Sequence, residues 1–182
     1  EIYGFVGLAN TFTSYITIAT VALNSLHSRY VTINMAKKKY DKASEYFSSV
    51  TIANTAMALI LVIPSAILIV FLNAFLKLPS GFEIDIKVLW AFIFINFLIS
   101  LATGSMDVAP YCCNRLDLSA KRSMESNVFK CIVLVVMFSM FKPHIWFVGF
   151  SALVAGIYVV ITNIRYVKTL TPQLKIRRKL FS

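Results

Sequence analysis

The sequence predicts an all-α integral membrane protein, a polytopic bundle of transmembrane helices, on three observations. Of its 182 residues 58% are hydrophobic and 14% charged, with mean hydropathy +0.75, a balance that one soluble core of this size cannot hide. Five apolar stretches approach or exceed the ~20 residues that a helix needs to cross hydrocarbon at ~1.5 Å rise per residue. Lys and Arg gather in every second connection, the charge signature of cytoplasmic loops.

The first helix is expected over residues 3–36. It is polar for a span, carrying Asn10, Ser14, Thr17, Asn24, His27 and Ser28 at helical spacing along one stripe, with Ser25, Arg29 and Thr32 beside it. Such a stripe does not face lipid: it either hydrogen-bonds to neighbouring helices or lines a hydrated cavity. The second helix, over 47–76, has Thr51, Asn54 and Thr55 near one end and Pro64 near its middle. Pro removes one backbone hydrogen bond and crowds the carbonyl four residues back, which predicts a kink. The connection Leu78-Pro79-Ser80-Gly81-Phe82 has turn chemistry.

The third helix, over 86–109, holds Asn96, Ser100, Thr103 and Asp107 at spacings of four, three and four, which places all four on one face. A carboxylate at the bilayer centre is disfavoured by about 3 kcal/mol on insertion scales. Asp107 is therefore a candidate for ion coupling or for a salt bridge. The connection from Pro110 to Arg122 offers Asp117 or Ser119 as an N-cap. The fourth helix is short on apolar residues alone and is extended back to cover 119–141, with Asn127 and Lys130 on one face. Lys130 lies roughly 13 Å beyond Lys121 at helical rise, too deep for easy snorkelling, and implies an anionic partner or ligand. The turn Lys142-Pro143-His144 leads to a fifth helix over 145–166, striped with Ser151, Tyr158, Thr162 and Arg165.

Sidedness follows from the basic residues. Lys37, Lys38, Lys39 and Lys42, then Arg115, Lys121 and Arg122, then Arg165, Lys168, Lys175, Arg177, Arg178 and Lys179 make thirteen of the eighteen Lys and Arg. All belong to alternate connections, which the positive-inside rule assigns to the cytoplasm. The opposite connections carry Lys77, Lys87 and Lys142 beside Glu83 and Asp85; Arg29 and Lys130 lie within helices. Glu1 is thus expected outside and residues 167–182 form a basic cytoplasmic tail or linker. Five spans with the two termini on opposite sides suggest an incomplete N-terminal six-helix half.

The motifs of hydrolytic and redox chemistry are absent: no Walker A string, no dinucleotide-binding glycine pattern, no nucleophile elbow and no His pair on one helical turn. Carboxylates are not paired at short helical spacing, as glycosyl chemistry would need. Cys112, Cys113 and Cys131 are expected as reduced thiols, without the spacing of a zinc site. The chain is not expected to be an enzyme, to hold a metal or cofactor, or to bind nucleic acid.

Several strings bear a family resemblance: Tyr3-Gly4-Phe5-Val6-Gly7-Leu8, Val21-Ala22-Leu23-Asn24-Ser25-Leu26-His27-Ser28-Arg29-Tyr30, Tyr46-Phe47-Ser48-Ser49, Asn114-Arg115-Leu116-Asp117-Leu118 and Lys142-Pro143-His144-Ile145-Trp146. In order and spacing they resemble the polysaccharide (O-antigen or capsule repeat-unit) flippases of the multidrug/oligosaccharidyl-lipid/polysaccharide exporter superfamily. The resemblance implies a multi-pass protein of the bacterial cytoplasmic (inner) membrane, with this chain as helices two to six of its first bundle. It implies flipping of an undecaprenyl-pyrophosphate-linked oligosaccharide by alternating access, with H+ or Na+ as a candidate coupling ion. The implied partners are the lipid-linked oligosaccharide, membrane lipids, a polysaccharide polymerase and glycosyltransferases.

Carrying sugar and pyrophosphate through hydrocarbon requires a hydrogen-bonding path with cations for the phosphates. Arg29 and Lys130 are the candidate anion contacts. Asn24, Asn96, Ser100 and Asn127 are the candidate polar lining, and Asp107 the candidate coupling or ion-pair residue. For Arg29 the competing assignment is snorkelling to the cytoplasmic interface. Two alternatives stand beside the flippase: a cation-coupled multidrug antiporter of the same superfamily, and a membrane assembly subunit whose polar stripes are helix contacts.

Overall fold

The computed structural model describes residues 3–76, 78–79 and 81–174, and every regular element among them is helical. Helix α1 runs Gly4–Ala36, α2 Tyr40–Val70, α3 Leu72–Phe75 and α4 Glu83–Thr103. A 3-10 turn, Gly104–Asp107, leads into the short α5, Val108–Cys112; α6 (Leu116–Met140) and α7 (Trp146–Leu170) follow. The protein is an all-α membrane helix bundle. Among the described residues four helical segments are long and apolar enough to cross a bilayer: Tyr40–Val70, Glu83–Cys112, Leu116–Met140 and Trp146–Leu170. Helix α1, 33 residues, also has the length.

The long helices alternate in direction, and side-chain contacts identify the two ends. At one end Thr32 Oγ1 meets Cys112 Sγ at 3.5 Å, Ser44 Oγ donates to Gln173 O at 3.2 Å and Cys113 Sγ donates to Leu170 O at 3.4 Å. The end of α1, the start of α2, α5 and the end of α7 therefore lie together, and with them Lys37, Lys38, Lys39, Lys42, Arg115 and Lys168. At the other end His144 pairs with Asp85 at 2.8 Å, and the rings of Phe12 and Trp90 lie 5.8 Å apart. The alternation of basic connections in the sequence is thus a segregation of charge in space, as the positive-inside rule requires.

Helix α4 is central and packs on α1, α2 and α7. Its Ile86, Leu89, Trp90, Ile93 and Phe94 form one core cluster with Ala9 and Leu72. A second cluster at the basic end joins Val31, Ala43, Phe47 and Val108 to Leu174. Small residues let α7 approach closely: a Cβ at Gly149 would lie 2.9 Å from Leu89 O. Helix α6 is peripheral, and Arg122 is its single buried residue.

Several expected boundaries move. Helix α2 starts at Tyr40 rather than at residue 47, because α1 closes on a left-handed residue, Lys38 (φ 56°). Lys38 N–H then donates to Met35 O and Lys39 N–H to Asn34 O, so three lysines suffice as a connection. The helix is continuous through Pro64 and ends at Val70, with Phe71 between α2 and α3. Helix α6 begins at Leu116, where Arg115 Nε donates to Asp117 Oδ1 at 2.9 Å. Of the expected tail, residues 167–170 are the last turn of α7, and Thr171 and Leu174 are buried. Glu1, Lys77, Ser80, Lys175, Arg177, Arg178 and Lys179 lie outside the described residues.

Candidate functional site

A cleft of about 780 Å³ opens between α1, α4, the 3-10 turn and α5. Helix α1 supplies one wall with Thr17, Thr20, Val21, Asn24, Ser25, Ser28, Arg29, Thr32 and Ile33, and Phe97, Ser100, Leu101, Gly104, Asp107 and Tyr111 supply the other. The α1 residues recur at three- and four-residue spacing, so the polar stripe seen in the sequence becomes one wall of a cavity.

Hydrogen bonding decides between the two readings of that stripe. Thr11, Ser14, Thr17 and Ser28 donate to the carbonyls of Gly7, Asn10, Thr13 and Asn24 in their own helix, at 2.7–2.9 Å. These hydroxyls satisfy themselves locally and are not glue between helices. Cross-helix bonds from the α1 stripe include Asn54 Nδ2 donating to Asn24 Oδ1 at 2.9 Å and Thr32 Oγ1 meeting Cys112 Sγ at 3.5 Å; beside them the Thr51 and Ser105 hydroxyls meet at 2.8 Å. Gly104 leaves room for the Asn24 amide, which would lie 3.3 Å from a Cβ there. His27, buried at 4% exposure, stacks on Phe47 with ring centroids 6.2 Å apart and belongs to the packing, not to the cleft.

The 3-10 turn reorients the end of the third span. Four residues at about 120° instead of 100° each turn Asp107 roughly 80° further than a continuous α-helix would. The single face expected for Asn96, Ser100, Thr103 and Asp107 is divided: the turn displaces Asp107, while Asn96 and Ser100, ~40° apart within α4, fall on either side of its contact with α7. Ser100 and Asp107 line the cleft. Thr103 Oγ1 donates to Ile99 O at 2.8 Å. Asn96 is turned to α7, with its Oδ1 against Gly156, where any side chain would collide with it.

Asp107 is held from behind. Arg122 Nη1 lies 2.6 Å from Asp107 Oδ1; the Arg122 side chain is 6% exposed and that of Asp107 45%. The same guanidinium nitrogen donates to Asn163 Oδ1 on α7. The approach to Asp107 is a close charge contact and not an aligned hydrogen bond, since Asp107 Oδ1 and Arg122 Nε have no hydrogen-bond partner among the described residues. Nearby, Tyr158 OH donates to Glu125 Oε2 at 2.7 Å, and Lys121 Nζ lies 3.8 Å from Glu125 Oε1.

Of the seven residues singled out in the sequence, Asn24, Arg29, Ser100 and Asp107 meet in this cleft. Asn96 does not, for the packing reason above. Asn127 and Lys130 share a face of α6 as expected, but that helix is peripheral: Asn127 is exposed and Lys130 half-exposed, and neither lines the cleft. No ion pair reaches Lys130 among the described residues. Lys130 is half-buried, four residues beyond Ser126 on the side of α6 that packs on α7. Arg122, at the basic start of the expected fourth helix, is not a solvated cation but is buried and paired. Its signal was present: Ser119, Arg122, Glu125 and Ser126 are three and four residues apart and mark the face of α6 that packs on α7. Asn54 carries the same kind of signal, at helical spacing from Thr51, whereas Asn163, a single amide in an apolar helix, has none.

No family model matches the chain, and no solved structure matches it. An uncharacterized membrane protein of Bacillus subtilis (strain 168), EpsK, is 24% identical to it over 179 residues, which is 98% of this chain and 35% of EpsK. The chain thus spans about a third of that relative's length.

Proposed function

We propose that this chain is part of a transporter that moves an undecaprenyl-pyrophosphate-linked oligosaccharide from the inner to the outer leaflet by alternating access. The observation that carries the proposal is the cleft beside α1: about 780 Å³, with hydroxyls and an amide set among Val21, Ile33, Phe97 and Leu101, and with Arg29 and Asp107 on its surface. Sugar hydroxyls require donors and acceptors in exchange for water, and a pyrophosphate requires a cation. Arg29 supplies the cation, and Thr17, Asn24, Ser25, Ser28 and Ser100 supply the hydrogen-bonding wall. The lipid tail remains in the bilayer. The cargo leaves chemically unchanged, so no catalytic residue is assigned. Glycosyltransferases would act before this step and a polysaccharide polymerase after it.

Asp107 favours the second reading, a cation-coupled drug antiporter, because an acid in a cleft attracts cations. Its contact with Arg122 weighs against that reading by neutralising the carboxylate. Arg29→Gln in the full-length protein is expected to cut surface polysaccharide at least tenfold and to build up the lipid-linked repeat unit in the inner leaflet. Lys130→Gln is expected to leave export within twofold. Normal export from an Arg29→Gln protein present at wild-type abundance overturns the proposal.

A further inference from the structure

We infer that Arg122, which does not touch the cleft, sets the sign of the charge that the cleft offers its cargo. This rests on the anionic cargo proposed above and adds the residue that makes the cleft select for it. Arg29 and Asp107 are the charged residues among those lining the cleft. No ion pair joins them among the described residues. Left alone, the two would cancel for any cargo that sees both. Arg122 prevents this by holding Asp107 at 2.6 Å from the side away from the cleft. The guanidinium is also bonded to Asn163 on α7, so its position does not depend on Asp107. The result is a neutralised carboxylate and an uncompensated Arg29.

A purely structural account of Arg122 is weak on energetic grounds. A buried ion pair is generally no more stabilising than apolar groups of the same volume, whereas one partner left alone is strongly destabilising. Arg122 is the single buried residue on α6, and its Nε has no partner among the described residues. What the pair uniquely supplies is electrostatic: it removes one negative charge from the cleft wall.

The test reads the potential directly in the full-length protein in membrane vesicles. Native cysteines, Cys112, Cys113 and Cys131 among them, are replaced by alanine, and Ser25→Cys on the cleft wall serves as reporter. Its modification rates with anionic 2-sulfonatoethyl and cationic 2-(trimethylammonium)ethyl methanethiosulfonate are compared at low ionic strength. One elementary charge ~10 Å away through water changes the anion-to-cation rate ratio about 4-fold. Arg122→Gln is expected to lower the ratio by about that factor, and Asp107→Asn added to it to restore the ratio, which a merely structural role for Arg122 would not do. Arg29→Gln is expected to lower it in either background. If Arg122→Gln does not accumulate, Asp107→Asn alone is measured; it unmasks Arg122 and raises the ratio by a similar factor. A ratio that falls with Arg29→Gln but ignores Arg122→Gln, or ignores Asp107→Asn, overturns the inference and leaves the anion reading standing. A ratio indifferent to Arg29→Gln overturns the anion reading itself.

Discussion

Gly149→Ala is expected to destabilise the bundle although alanine is the better helix former. A Cβ at Gly149 would sit 2.9 Å from Leu89 O, 3.0 Å from Phe92 Cβ and 3.2 Å from Leu89 Cδ1. Favourable carbon contacts lie near 3.5–4.0 Å, so α7 must retreat from α4 by roughly 0.5 Å along their shared surface. Leu89 O is backbone of the central helix and cannot rotate away. Overpacking of this kind destabilises by about 1–3 kcal/mol, and the intrinsic preference for alanine returns about 1 kcal/mol. The net expectation is a loss of about 1 kcal/mol. Gly7→Ala is the control: a Cβ there meets nothing within 4 Å, so only the gain remains. Thermal unfolding of the detergent-solubilised protein should show opposite signs for the two variants. Stabilisation by both would refute the close approach of α4 and α7, and with it the geometry that positions Asn96 away from the cleft.

Two further predictions concern the walls of the cleft and the basic end. The Asn24–Asn54 bond, 2.9 Å long, should give a coupling energy of about 0.6 kcal/mol, and at most about 1.7 kcal/mol, in a double-mutant cycle to alanine read by unfolding, as for hydrogen bonds between membrane helices. Lys38 holds a left-handed backbone (φ 56°) between α1 and α2; Lys38→Gly should relieve about 1 kcal/mol of strain and raise the unfolding temperature.

Much of this arrangement is legible in the sequence because lipid forces a simple code. Apolar stretches of spanning length mark the helices, and the alternation of Lys37–Lys42, Arg115–Lys121 and Arg165–Lys168 against Glu83 and Asp85 marks the ends. Helical spacing also carries Asn24, Arg29 and Ser100 to their common cleft. What the code misses is local geometry. A helix that changes from 3.6 to about 3.0 residues per turn at Gly104 looks the same in spacing, yet it separates Asp107 from Asn96. Charge counting treats every Arg near a helix end as a loop cation, so Arg122 was hidden among Arg115 and Lys121 although it is 5% exposed. Asn127 and Lys130 show the converse: spacing puts them on one side of α6, yet Asn127 is exposed and Lys130 half-buried at the edge of the packed face.

The central claim is that water reaches the cleft beside α1 and does not reach the outer face of α6. Single cysteines at Ser25, Ser28 and Ser100, and at Ile132 and Val135 on α6, can be titrated in membranes with a water-soluble maleimide. The cleft positions are expected to react at least tenfold faster than the α6 positions. Equal rates, or faster reaction at Ile132 and Val135, would contradict the account.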